Sequence, residues 1–111
     1  MSLLNNSIKS NIKEHSLEDY PNECCGILAQ NKDETVVVRC ENIADNKKEF
    51  FEISPHDYLK ASKIGRVKAY YHSHTGKNFS LSGADKAISI SQRLPLIMYS
   101  IIRDNFVEYT V

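Results

Sequence analysis

The first regularity along the chain is a four-residue recurrence of apolar positions. Leu4, Ile8 and Ile12 share one stripe while Lys9, Asn11, Lys13 and Glu14 fill other faces, which predicts an amphipathic helix. Pro21, lacking a backbone N–H, ends it. Two apolar runs follow, residues 24–30 and 35–40, split by the polar Asn31-Lys32-Asp33-Glu34; with Val36-Val37-Val38 as a β-branched centre they read as a hairpin. A third strand is expected around residues 49–53. Ser54-Pro55-His56-Asp57 then has the makeup of a helix start: a capping hydroxyl, a proline suited to the first helical position and an acid at the positive end of the dipole. Gly65 supplies the stop. His56 is expected to be exposed, and His15 to serve the first helix as a surface or packing residue.

Residues 66–74 alternate as a strand does, with Val67, Ala69 and Tyr71 on one face and Tyr70, His72 and His74 on the other. After a polar loop, residues 82–93 read as a helix whose apolar surface is Ala84, Ala87, Ile88 and Ile90. Residues 94–102 form another apolar run, Asp104-Asn105 a turn, and residues 106–111 a last strand. The order is helix, three strands, helix, strand, helix, two strands. That pattern implies an α/β fold, a mixed β-sheet flanked by helices, in one domain over residues 1–111.

Composition narrows the function classes. In 111 residues, 41% are hydrophobic, enough for a core, and 14 basic side chains balance 14 acidic ones. A net charge of zero argues against a nucleic-acid partner, which calls for a basic face. No apolar run approaches the ~18–20 residues of a membrane span. The opening MSLLNNSIKS lacks the basic start and long apolar stretch of a signal peptide, so a cytoplasmic protein is expected. Cys24 and Cys25 are adjacent and Cys40 makes the count odd, with no CxxC pair. This is neither a disulfide framework nor a zinc ribbon, and the three are expected as small buried apolar residues.

Candidate chemistry concentrates in the stretch from His72 to Asp85. Two histidines at i and i+2 on a strand project from one face, so both rings can reach one metal ion. Asp85, in the first turn of the next helix, completes a His-His-Asp set if the loop folds back across the strand end. Three protein ligands leave a fourth position for water, the arrangement of catalytic rather than structural zinc. Two plainer facts stand beside this. Ser82-Gly83-Ala84-Asp85 also matches the pattern that caps ordinary helices, and two histidines with a carboxylate also suit non-haem iron.

His72, His74, a seven-residue gap, Ser82, two residues and Asp85 reproduce HxHx(7)SxxD without a mismatch. This is the signature of the JAMM (MPN+) metallopeptidases, which the chain resembles over roughly residues 15 to 105. Pro21-Asn22-Glu23-Cys24-Cys25-Gly26-Ile27-Leu28 resembles the segment that carries that family's catalytic glutamate, and residues 51–55 and 94–97 look like its flanking strands and turns. The resemblance implies a JAMM/MPN fold, similar to cytidine deaminases. It implies one catalytic Zn2+ held by His72, His74 and Asp85, with Glu23 as general base and Ser82 donating to the oxyanion. By its residue type and place alone, Glu23 reads as an exposed carboxylate before a strand.

The implied reaction is hydrolysis of a peptide or isopeptide bond in a protein substrate, either ubiquitin-like or a phage tail component. The Glu-Cys-Cys-Gly, Phe-x-Ile-x-Pro and His-Ser-His elements look most like the phage tail-assembly branch, which would put the protein in the host cytoplasm. Thr75 stands where many relatives have proline, and the minimal gap from His74 to Ser82 leaves little room for insertions that grip ubiquitin chains. The alternative is a non-catalytic MPN-type scaffold or tail assembly module.

Overall fold

The structure, a computed structural model, describes residues 4–76, 85 and 92–110. Helix α1 (Asn6–Asp19) opens the chain, followed by strands β1 (Cys25–Asn31) and β2 (Glu34–Cys40), helix α2 (Pro55–Ile64), and strands β3 (Arg66–His74), β4 (Leu96–Ser100) and β5 (Asn105–Tyr109). The five strands make one sheet in the order β2-β1-β3-β4-β5. β3 and β4 run parallel; the other neighbouring pairs are antiparallel. A parallel pair cannot be joined by a tight turn, so the chain crosses over between the end of β3 and the start of β4. The helix expected over residues 82–93 falls mostly outside the described residues; within it, Asp85 and Gln92 are helical.

Each face of the sheet carries a helix, so β1 and β4 are buried along almost their whole length. On one face Cys25, Ile27, Ala29, Val38, Cys40, Phe51, Tyr70 and Leu96 pack with Ala61 of α2. On the other, Ile8 and Ile12 of α1 pack with Cys24, Leu28, Ala69, Tyr71, Ile97 and Tyr99. Both helices begin as the residues dictate. Asn5 caps α1 by accepting from the Ile8 N–H, and the Ser54 hydroxyl accepts from the Asp57 N–H at 3.1 Å with Pro55 in the first turn of α2. Arg39 of β2 donates to Asn11 Oδ1 at 3.0 Å and pairs with Glu18, tying α1 to the sheet edge.

Two expectations are revised and two are refined. Residues 49–53 are not a strand: only an isolated bridge joins Ile53 to Asn42, and the Asn42 side chain supplies the bonds that a ladder would have made. Val67 packs with Tyr70 instead of Ala69 and Tyr71, because the register of β1 with β3 skips Lys68 (Leu28 faces Ala69, Ala29 faces Val67) and this bulge turns Val67 over. Gly65 does end α2, but in extended backbone; what requires glycine is space, since a Cβ there would lie 2.5 Å from the Gln30 carbonyl oxygen. The hairpin loop is tighter than the polar run suggests, with Asn31 pairing to Glu34 and Lys32 at φ 56°. The three cysteines are buried and free, as expected, and burial pushes the thiols of Cys24 and Cys40 up to about 12.

Candidate metal centre

The site follows from register. Cys25 faces His72 across the antiparallel β1–β3 pair, and the ladder continues one residue further, with the Ser73 N–H donating to the Cys24 carbonyl at 3.1 Å. Directly opposed residues share a face, so Glu23, two residues before the start of β1, comes to the same side as His72 and His74. The histidines lie at the carboxyl end of β3, beside the carboxyl end of its parallel neighbour β4. Ligands commonly bind at that end of parallel strands.

His72 is fully buried, and its ring stacks on Phe51 with centroids 4.6 Å apart. Its Nδ1 lies 3.1 Å from the Ile97 carbonyl oxygen. A carbonyl only accepts, so Nδ1 carries the proton and Nε2 keeps its lone pair. Burial lowers the His72 pKa, against the opposing pull of Asp85, which favours the neutral, ligand-competent ring. His72 Nε2 and His74 Nε2 are 3.2 Å apart, and Asp85 Oδ2 lies 3.1 Å from His74 Nε2 and 3.3 Å from His72 Nε2. Three donor atoms therefore stand at the corners of a nearly equilateral triangle. The edge of a tetrahedron with bonds of ~2.0–2.1 Å is roughly 3.3–3.4 Å, the spacing of N and O donors around zinc.

Glu23 closes the site from the β1 side. Ligand atoms of Glu23, His72 and His74 all lie within 4.8 Å of one another, so this group can hold a metal ion. Contrary to the sequence expectation, Glu23 is buried, and its Oε1 has no hydrogen-bond partner among the described residues. Burial pushes the carboxyl up to about 8; His74 draws it down, while Asp85 and Glu49 push it further up. A buried carboxylate oxygen without a donor is costly unless something positively charged or a proton donor faces it. The donor set thus fits a cation by composition and by spacing.

The structure brings Glu23, His72, His74 and Asp85 together; Ser82 lies outside the described residues. His15 and His56 stay apart from this site. His15 is buried and its Nδ1 lies 2.7 Å from the Tyr71 hydroxyl, whereas the His56 side chain is exposed. Three contributors had no local sequence signal for their contacts. Phe51 packs the His72 ring, the Ile97 carbonyl fixes its tautomer, and Ser73 accepts from the Cys24 N–H at 2.8 Å beside Glu23.

A five-stranded mixed sheet between helices, with two histidines and two carboxylates at one strand end, defines a JAB/MPN-type domain. A family model described as prokaryotic homologs of the JAB domain matches residues 5–110, and the chain belongs to that family. Tail tip assembly protein K of Escherichia phage N15 is 37% identical over 84 residues, which are 76% of this chain and 35% of that protein. The chain spans about a third of that relative's length. The solution structure of protein DSY2949 from Desulfitobacterium hafniense superposes with a TM-score of 0.72 at 19% identity, covering 95% of this chain and 87% of that one. At that identity the likeness shows the fold alone.

Proposed function

We propose that the chain is a zinc-dependent peptidase or isopeptidase acting on a protein of phage tail assembly in the host cytoplasm. The observation that carries this reading is the triangle of His72 Nε2, His74 Nε2 and Asp85 Oδ2 beside a buried Glu23 oxygen that has no partner among the described residues. His72, His74 and Asp85 would hold the metal, because their three atoms have the closer and more even spacing; Glu23 would stay free to act. When bound, zinc supplies a Lewis acid that polarises a scissile carbonyl and brings the pKa of water toward ~7. Glu23 would take a proton from the attacking water and pass it to the leaving amine, a task for which its buried carboxylate beside the histidines is placed. Ser82 would donate to the developing oxyanion, a role assigned from its place in the motif.

The phage relative is a tail tip assembly protein, which favours a tail protein as substrate and also favours the second reading, a non-catalytic assembly module. A library of internally quenched peptides, incubated with the zinc-loaded chain, separates the two. The peptidase reading expects cleavage of at least one peptide by the wild type and none by Glu23→Gln with its zinc retained. Equal cleavage by Glu23→Gln would remove Glu23 from the chemistry, and a zinc-loaded wild type inert on every peptide would favour the assembly module.

A further inference from the structure

We propose that Asn42 is a positioning residue that sets both the Glu23 carboxylate and the Phe51 ring against the histidines. The inference rests on the reading of Glu23 as the base. The register that pairs Cys25 with Cys40 on one side and His72 on the other extends to a row of Asn42, Glu23 and His74. β2 ends at Cys40, however, so Glu23 has no strand neighbour on its outer side; the Asn42 side chain takes that place.

Asn42 is buried, and its amide is fully used. Nδ2 donates to the Glu23 carbonyl at 3.0 Å and the Phe50 carbonyl at 2.9 Å, with a longer contact of 3.5 Å to the Lys47 carbonyl. Oδ1 accepts from the Ala44 N–H at 3.0 Å and the Glu52 N–H at 3.1 Å. The Glu23 N–H, in turn, donates to the Lys47 carbonyl at 2.7 Å. Both backbone groups of Glu23 are therefore held by this loop, one of them by Asn42 itself. The two residues that flank Phe51 are also bonded to Asn42, and Phe51 is the ring stacked on His72. No other side chain among the described residues is bonded to the backbone on both the Glu23 and the Phe51 sides. Such support matters because a catalytic group must be held within ~0.5 Å of its productive place.

The test uses cobalt(II) added to the metal-free full chain and reads the pH midpoint of its visible absorption. With cobalt bound by every variant, Glu23→Gln should move the midpoint by about one pH unit or more. Asn42→Ala and Asn42→Ser should move it the same way by at least about half as much, and Asn42→Ala should add nothing in the Glu23→Gln background. Asn46→Ala, which removes an exposed bond to Glu49 in the same loop, should leave it unmoved. An unmoved midpoint in Asn42→Ala while Glu23→Gln shifts overturns the positioning role, as do shifts that add in the double variant. An unmoved midpoint in Glu23→Gln overturns the base assignment and this inference with it; a wild type that binds no cobalt overturns the metal reading itself. Should the Asn42 variants fail to fold, the wild type decides: its Asn42 side-chain amide protons should exchange at least ~10-fold more slowly than those of Asn46, and equal rates overturn the proposal.

Discussion

Glu23 shows what a residue's neighbours do to its chemistry. As the carboxylate before a strand it reads as exposed, and only the resemblance to a family singled it out. Burial comes from its place in the sheet row beside His74, which no local pattern encodes. His72 and His74 were readable because alternation in a strand is a rule of period two. Their support was not. Phe51 lies 21 residues upstream of His72, with α2 between them, and its contact is a matter of tertiary packing. Phe51→Ala should cost about 3–5 kcal/mol of stability by opening a cavity in the core. It should also weaken zinc binding by roughly 10–100-fold, because the ring orients a ligand. Competition with a chromophoric chelator measures the second effect; unchanged affinity would show that the stack is packing alone.

Among the elements, the start of α2 was the most readable, since Ser54 and Pro55 act within a single turn; the Asn5 cap of α1 emerged only in the structure. The strand expected at residues 49–53 failed for the reverse reason. Whether an apolar stretch becomes a strand depends on a free partner edge, and here the Asn42 side chain intercepts the backbone first. The bulge at Lys68 was equally hidden, because it arises from how β1 and β3 meet. Gly26 faces Tyr71 across that pair, and a Cβ on it would lie 2.2–2.4 Å from the phenol ring. The ring cannot simply swing aside, since its hydroxyl lies 2.7 Å from His15 Nδ1 against α1. Gly26→Ala should therefore destabilise the fold by about 1–3 kcal/mol or more, read as a lower urea midpoint. A midpoint equal to the wild type would mean that β1 and β3 can separate without loss.

At the scale of the molecule, two helices cover the two faces of one sheet, and the candidate metal centre sits, largely buried, at the carboxyl end of its middle strand. No helix among the described residues is long and apolar enough to cross a membrane. Holding Glu23 buried carries a stability cost that pH should expose in the metal-free chain. Its folded-state pKa, about 8, lies above the ordinary 4.5. The folded chain thus binds the proton more tightly than the unfolded chain. That contribution is fully present below about pH 4.5 and is lost as pH rises through about 8. Metal-free Glu23→Gln should consequently be more stable than the wild type above pH 8, by urea unfolding. His15 and His72 act the other way: burial lowers both, so their part of the stability is lost as pH falls below 6.5. A wild type as stable as Glu23→Gln at alkaline pH would show that the carboxylate is not held dry.

The central claim is that His72, His74 and Asp85 hold one zinc ion, and metal analysis of the chain purified without chelators tests it most directly. The account predicts about one zinc per wild-type chain, near-complete loss in His72→Ala and Asp85→Ala, and retention in Glu23→Gln. A folded wild type that stays free of zinc when zinc is supplied, or an Asp85→Ala variant that keeps it while Glu23→Gln loses it, would contradict the account.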